Sequence, residues 1–142
     1  MDQRLDLLSS EGNLIFSWPI SSSLRGTGFE EGSFKTPTGR FRIRVKIGHD
    51  APPWMIFVGR VPTGEIAIRG GHEDLILTRI LWLEGLDLNN ANTRDRYIYI
   101  HGTNQEELIG TPASHGCIRM RNRDIIDLFD QVTTDTEVKI VS

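Results

Sequence analysis

The chain has 142 residues, 38% of them hydrophobic and 25% charged, which suits one domain (1–142) with a packed core and excludes a disordered tract. A formal net charge of −3 speaks against a nucleic-acid partner, and no run of residues is long and apolar enough to predict a membrane span. A single cysteine excludes an intrachain disulfide and a multi-cysteine zinc site.

The opening segment, MDQRLDLLSSEGNLIF, lacks the basic and apolar regions of a signal peptide. The cytoplasm is the simplest compartment on that reading, and a mature domain freed of its leader reads the same way. NLIFSW (13–18) predicts a short strand. Residues 21–39 form a long connection rich in Gly, Ser and Thr, of a length that is often functional inside a compact domain; Thr36, Pro37 and Gly39 read as a turn. GRFRIRVKIG (39–48) is the cleanest pattern in the chain. Phe41, Ile43, Val45 and Ile47 alternate with Arg40, Arg42, Arg44 and Lys46, which predicts a half-buried strand with one basic, solvated face.

Further strands are predicted at 52–59, 65–70 and 74–83, with Trp54 and Trp82 in the core. RYIYI (96–100) alternates again, and TEVKIVS (136–142) reads as a closing strand. One helix stands out over 123–132. Asn122 is its expected N-cap, Ile125, Leu128, Phe129 and Val132 form its apolar stripe, and Asp124, Asp127 and Asp130 lie on its surface. The fold class is mainly β, a sandwich or barrel with one principal α-helix packed on it.

The strand 96–100 runs into HGTNQEELIGTPASHGCIRM (101–120), which holds the lone cysteine in a polar, glycine-flanked setting. A loop of this size can fold back and set Cys117 beside His101, since paired residues on adjacent strands have Cβ atoms about 4.5–5.5 Å apart. A nearby imidazole or positive field would lower the thiol pKa enough to populate a thiolate at neutral pH. Gly116 lets a substrate approach the backbone, and the N–H groups of Gly116 and Cys117 are candidate oxyanion donors. His115, two residues before Cys117, would share its face in an extended chain, so the residues alone leave His101 and His115 both open as the base. His101, His115 and Cys117 are conceivable together as metal ligands, but no carboxylate or third imidazole falls at a ligand spacing, so no metal and no cofactor are expected.

The segment HGT…IG.PASHGCIRM.N.DI..L (101–128) resembles the catalytic signature of the L,D-transpeptidases, the YkuD-type family of peptidoglycan cross-linking enzymes. KTPTGRFRI (35–43) and ILTRILWLEGL (76–86) are also similar to family segments, so the resemblance runs from about residue 12 to the end. It implies a mostly β catalytic domain with Cys117 as nucleophile and His101 as its base. Gly102 would steady the imidazole through its carbonyl, completing a triad without a carboxylate. Ser114 and His115 match motif positions that shape the site, Gly116 belongs to the motif, and an arginine at 119 would hold a substrate carboxylate bidentately. The implied reaction forms a thioester at Cys117 from a peptidoglycan tetrapeptide stem and passes it to an acceptor amine, with carbapenem β-lactams as inhibitors.

Two other readings remain. With water as acceptor, the same residues make an L,D-carboxypeptidase that trims stems or recycled muropeptides. From a different class, the domain is a non-catalytic peptidoglycan-binding module that kept the motif. The family acts in the periplasm or cell envelope, against the cytoplasmic reading of the N-terminus.

Overall fold

The computed structural model describes residues 2–142. The described strands and α-helix, in chain order, are β1 (Arg4–Leu8), β2 (Leu14–Pro19), β3 (Gly39–Ile47), β4 (Met55–Val58), β5 (Val61–Ile66), β6 (Ile76–Gly85), β7 (Tyr99–Gly102), β8 (Ile118–Met120), α1 (Asn122–Gln131) and β9 (Glu137–Ile140). The fold is mainly β with one α-helix, as the sequence predicts. β1 and β2 form an antiparallel hairpin of their own. The other strands make one sheet in the order β5-β4-β6-β3-β9, with β7 added to β6 and β8 to β7. All neighbours are antiparallel except β7 and β8, which run parallel.

The basic strand departs from its simple alternation. A register shift between Ile43 and Val45 sends the second half of β3 to the opposite face. Phe41 and Ile43 join the larger apolar cluster with α1, Leu81, Leu83, Ile100 and Ile118, whereas Ile47 joins a smaller cluster around Phe57, Ile80 and Tyr99. The basic side chains are matched rather than merely solvated. Arg40 pairs with Asp87 at 3.2 Å and Arg42 with Glu84 at 2.8 Å. Lys46 Nζ donates to the carbonyls of Phe129 and Val132, each at 2.7 Å, at the C-terminal end of α1, where a cation is favoured.

Other boundaries also move. β5 covers 61–66 rather than 65–70 and includes Pro62 and Gly64, which an edge strand tolerates. β7 begins at Tyr99, because Tyr97 takes a left-handed turn at φ 57°. The cap of α1 is Arg121, without a side-chain cap bond, and Asp124 is buried rather than on the surface. Trp54 and Trp82 are half-buried, not core; the core tryptophan is Trp18.

Asn122 is turned inward to a larger task. Its Nδ2 donates to Thr103 O at 2.8 Å and to Glu106 Oε2 at 2.9 Å, and its Oδ1 accepts from Thr78 Oγ1 at 2.6 Å. Helix α1, the end of β7 and the middle of β6 meet at this side chain. Thr78 has φ 77°, a left-handed value that a β-branched residue takes only when its surroundings impose it. It sits in a bulge: Leu77 pairs with Gly102 and Ile80 with His101, so Thr78 and Arg79 stand opposite a single step of β7.

Asn122→Ala is therefore expected to destabilise the protein by about 2–4 kcal/mol, since it leaves the Thr103 carbonyl, Glu106 and Thr78 without their buried partner. Urea denaturation with an unchanged m-value measures the loss, and a change under 1 kcal/mol would contradict this account.

Candidate active site

The parallel pairing of β7 and β8 builds the site. His101 is opposite Arg119 and Ile100 opposite Ile118, so Cys117 precedes β8 on the side shared by Tyr99, His101 and Arg119. Side-chain placement agrees: Ile98, Ile100, Ile118 and Met120 enter the larger cluster, whereas Tyr99 and Cys117 belong to the smaller one on the other face. The loop between the two strands is held by the segment 20–23. Ser21 N–H donates to Arg119 O and Arg119 N–H to Ser21 O, each at 2.8 Å, and Gly110 N–H donates to Ile20 O at 2.8 Å.

His101 is buried, and its Nδ1 lies 2.6 Å from Gly102 O. A carbonyl can only accept, so the proton resides on Nδ1 and Nε2 is the basic nitrogen. Gly102 is spatially required, because a Cβ there would collide with Asn122 Oδ1 and the Leu77 carbonyl. Burial lowers the His101 pKa, outweighing the Gly102 contact that favours the imidazolium.

Cys117 is half-buried. Its Sγ accepts from Tyr99 N–H at 3.3 Å and lies 3.4 Å from Tyr97 O. Desolvation pushes the thiol up to about 11, against the Tyr99 N–H bond and the charges of Arg96 and Arg119 that favour the thiolate. This corrects the expectation of a thiolate at neutral pH. The polar neighbours are present, but burial outweighs them, and the resting pair is a neutral thiol and a neutral imidazole.

The motif turn is shaped from within. Ser114 is buried; its Oγ donates to Cys117 O at 2.6 Å and accepts from Gly116 N–H at 3.3 Å. Gly116 has φ 123°, and its carbonyl accepts from Thr36 Oγ1 at 2.9 Å, so the long 21–39 connection packs directly on the turn. His115 is exposed, with its ring 5.8 Å from that of Phe34. A pocket of about 190 Å³ lies here, lined by Phe34, Arg96, Tyr97, Ile98 and His115 among others.

Arg119 does not sit where the sequence reading puts it. Its side chain is 1% exposed, and its Nη1 is taken by Asp74 at 3.0 Å and Gln105 at 2.7 Å. A guanidinium so enclosed cannot grip a substrate carboxylate unless the surrounding loops part. Asp74, Arg96, Tyr99 and Trp82 are the site neighbours that sequence reasoning missed. Asp74 lies in the loop before β6 and Arg96 in the turn before β7, and no local pattern marks either. Trp82 faces the Tyr97 and Tyr99 rings at 5.9 and 5.7 Å, with Arg60 stacked on it at 4.8 Å. Among the described residues, no group of three or more His, Cys, Asp or Glu side chains is placed to hold a metal ion, and no helix is long and apolar enough to cross a membrane.

Comparison with known proteins gives a consistent match. A family model described as the L,D-transpeptidase catalytic domain, YkuD, matches residues 2–140. YqjB of Bacillus subtilis (strain 168), provisionally named an L,D-transpeptidase, is 33% identical over 106 residues, covering 74% of this chain and 51% of that protein. ErfK/SrfK of Salmonella typhimurium, named a probable L,D-transpeptidase, is 52% identical over 46 residues, 32% of this chain and 15% of that one. The L,D-transpeptidase structure from Xylanimonas cellulosilytica superposes with a TM-score of 0.59 at 18% identity, over 98% of this chain and 55% of that one. The Enterococcus faecium L,D-transpeptidase C442S mutant gives 0.60 at 16% identity, over 99% and 46%. At such identities the structural likeness speaks for the fold. The chain spans about half the length of YqjB.

Alkylation of Cys117 by iodoacetamide is expected to keep rising above pH 8.5 toward a midpoint of about 11, because the folded state holds the thiol proton more tightly than free cysteine does. A rate that levels off by pH 8 would show that the thiolate is already formed at rest.

Proposed function

The chain belongs to the YkuD family of L,D-transpeptidase catalytic domains, and on that premise we propose that it is a cysteine-dependent acyltransferase acting on peptidoglycan stem peptides. One observation carries the reading: His101, its proton fixed on Nδ1 by Gly102 O at 2.6 Å, and Cys117 share one face of the β7–β8 pair.

The reaction begins from neutral partners. His101 Nε2 takes the Cys117 proton as Sγ attacks the carbonyl carbon that precedes the terminal D-amino acid of a tetrapeptide stem. The backbone N–H of Cys117 is the proposed donor to the oxyanion; that of Gly116, expected from the sequence to share the task, is taken by Ser114 Oγ. Collapse of the tetrahedral intermediate breaks the C–N bond, and His101 returns the proton to the leaving amine. A thioester on Cys117 remains, and an acceptor amine displaces the thiol from it. His115, exposed beside the pocket of about 190 Å³, is the motif residue best placed to meet a substrate, while Ser114 keeps the turn in shape. Two relatives with solved structures were captured with β-lactams, one with imipenem and one with a faropenem-derived adduct. Carbapenems are accordingly proposed as acylating inhibitors of this chain.

Incubation with a disaccharide-tetrapeptide and mass analysis of the products tests the proposal. Release of the terminal D-amino acid with formation of a cross-linked dimer is expected; a trimmed tripeptide alone would identify water as the acceptor and make the enzyme an L,D-carboxypeptidase. Cys117→Ala is expected to abolish release while leaving Tm unchanged, and wild-type release from that variant would remove Cys117 from the mechanism. His101→Ala is expected to lower turnover by about 10²–10⁴-fold, the usual worth of a general base, and far more than His115→Ala. The reverse order would reassign the base.

A further inference from the structure

Asp74 stands in a loop that the residues following β7 hold down. Asn104 Nδ2 donates to the carbonyls of Gly70 at 2.6 Å and Glu73 at 3.0 Å, and its Oδ1 accepts from Leu75 N–H at 3.2 Å. Gln105 Nε2 donates to Gly71 O at 2.9 Å. The loop so pinned presents one carboxylate to two basic side chains at different depths. Asp74 Oδ1 is 3.0 Å from Arg119 Nη1 in the interior, and Oδ2 is 3.3 Å from His115 Nδ1 at the surface. Exposure rises along this line from 1% at the Arg119 side chain to 25% at Asp74 and 67% at His115.

Each contact answers a physical need. A buried guanidinium requires a counter-charge, and Asp74 is the acid paired with Arg119 among the described residues. Arg119 Nε and Nη2 have no hydrogen-bond partner, so its charge is otherwise poorly compensated. On the surface side a carboxylate can only accept, so His115 carries its proton on Nδ1 and keeps Nε2 free.

Resting on the roles proposed above for Cys117 and His101, we infer that Asp74 is a positioning residue for the acyl-transfer reaction: a single carboxylate that fixes the His115 ring beside the pocket and balances the buried charge of Arg119 next to the reacting pair. The charged groups around that pair show the balance. Asp74 opposes the Cys117 thiolate, whereas Arg96 and Arg119 favour it, and the Tyr99 phenol lies alongside. Asp74 favours the His101 imidazolium, and Arg119 opposes it. Proton transfer from Cys117 to His101 creates both charges at once. Asp74 stabilises one product and Arg119 the other, and their contact keeps the two influences matched.

The test compares Asp74→Asn and Asp74→Glu with the wild-type chain by two readouts: the pH profile of iodoacetamide alkylation, and the rate of imipenem acylation followed by intact mass. For Asp74→Asn, alkylation at pH 8 is expected to be at least threefold faster, because Arg119 acts on the thiol unopposed. Acylation is expected to be at least tenfold slower, because His115 is no longer held. Asp74→Glu, which keeps the charge, is expected to return alkylation to within twofold of wild type. A merely structural role cannot move the two readouts in opposite directions. Losses in both together with a lower Tm, or no change in either, would overturn the inference. Should Asp74→Asn fail to fold with Arg119 unpaired, the double variant Asp74→Asn/Arg119→Gln removes both charges; acylation tenfold below wild type supports the inference, and wild-type acylation overturns it. Cys117→Ala runs alongside, and a Cys117→Ala protein still modified by imipenem would mean that the nucleophile assignment has failed, independently of Asp74.

Discussion

The bulge in β6 is the constraint on which the site rests. Two residues, Thr78 and Arg79, stand opposite the single step from His101 to Gly102, and this two-residue offset re-aims the pairing with the end of β7. A threonine at φ 77° does not hold that geometry by itself. It is held because Thr78 Oγ1 donates to Asn122 Oδ1 at 2.6 Å and accepts from Trp54 N–H at 2.9 Å. Asn122 in turn is pinned by Thr103 O and by Glu106, which also accepts from its backbone N–H at 2.8 Å. Helix α1 is thus more than a lid on the core, since its first residue ties the bulge to the strand that delivers the imidazole. The absence of a side chain at Gly102 belongs to the same arrangement, for Asn122 occupies the space a Cβ would need.

Electrostatically the site is a low-dielectric pair poised before charge separation. Burial raises the thiol pKa and lowers that of the imidazole, so both shifts favour the uncharged forms. In the proposed reaction, proton transfer then has to be driven at the moment of attack, when a substrate carbonyl and a backbone donor are present to stabilise the developing charge. On the inference drawn above, the carboxylate absent from the proposed set of Cys117, His101 and Gly102 acts at one remove from Asp74, which touches neither the thiol nor the His101 imidazole by any hydrogen bond or ion pair described.

Much of the fold was readable wherever a side-chain period was long enough to express itself. The stripe Ile125, Leu128, Phe129 and Val132 lies in the core as the helical spacing requires, and the first half of β3 alternates as written. The failures have physical causes. β8 is three residues long and carries a buried arginine at its centre, so no local period announces it; its partner is a parallel strand that a loop away in sequence brings alongside. β1 buries only the alternate, partly covered Leu5 and Leu7 against the larger cluster, too short a period to announce a strand. The register shift in β3 reverses which face Val45 and Ile47 occupy, and sequence periodicity carries no sign of where a bulge falls. At the site, Cys117, His101 and the glycines are visible because they are contiguous with the motif. Asp74 and Arg96 are not, because the fold rather than the chain brings their charges near the thiol.

A thiol that stays protonated at rest has a redox consequence. Oxidation to sulfenic acid proceeds through the thiolate, and desolvation of Cys117 disfavours that form. The lone cysteine has no second thiol in the chain to resolve a sulfenic acid as a disulfide. For such a sulfur, holding the proton is a protection in itself, because peroxides meet a thiol that is slow to react with them.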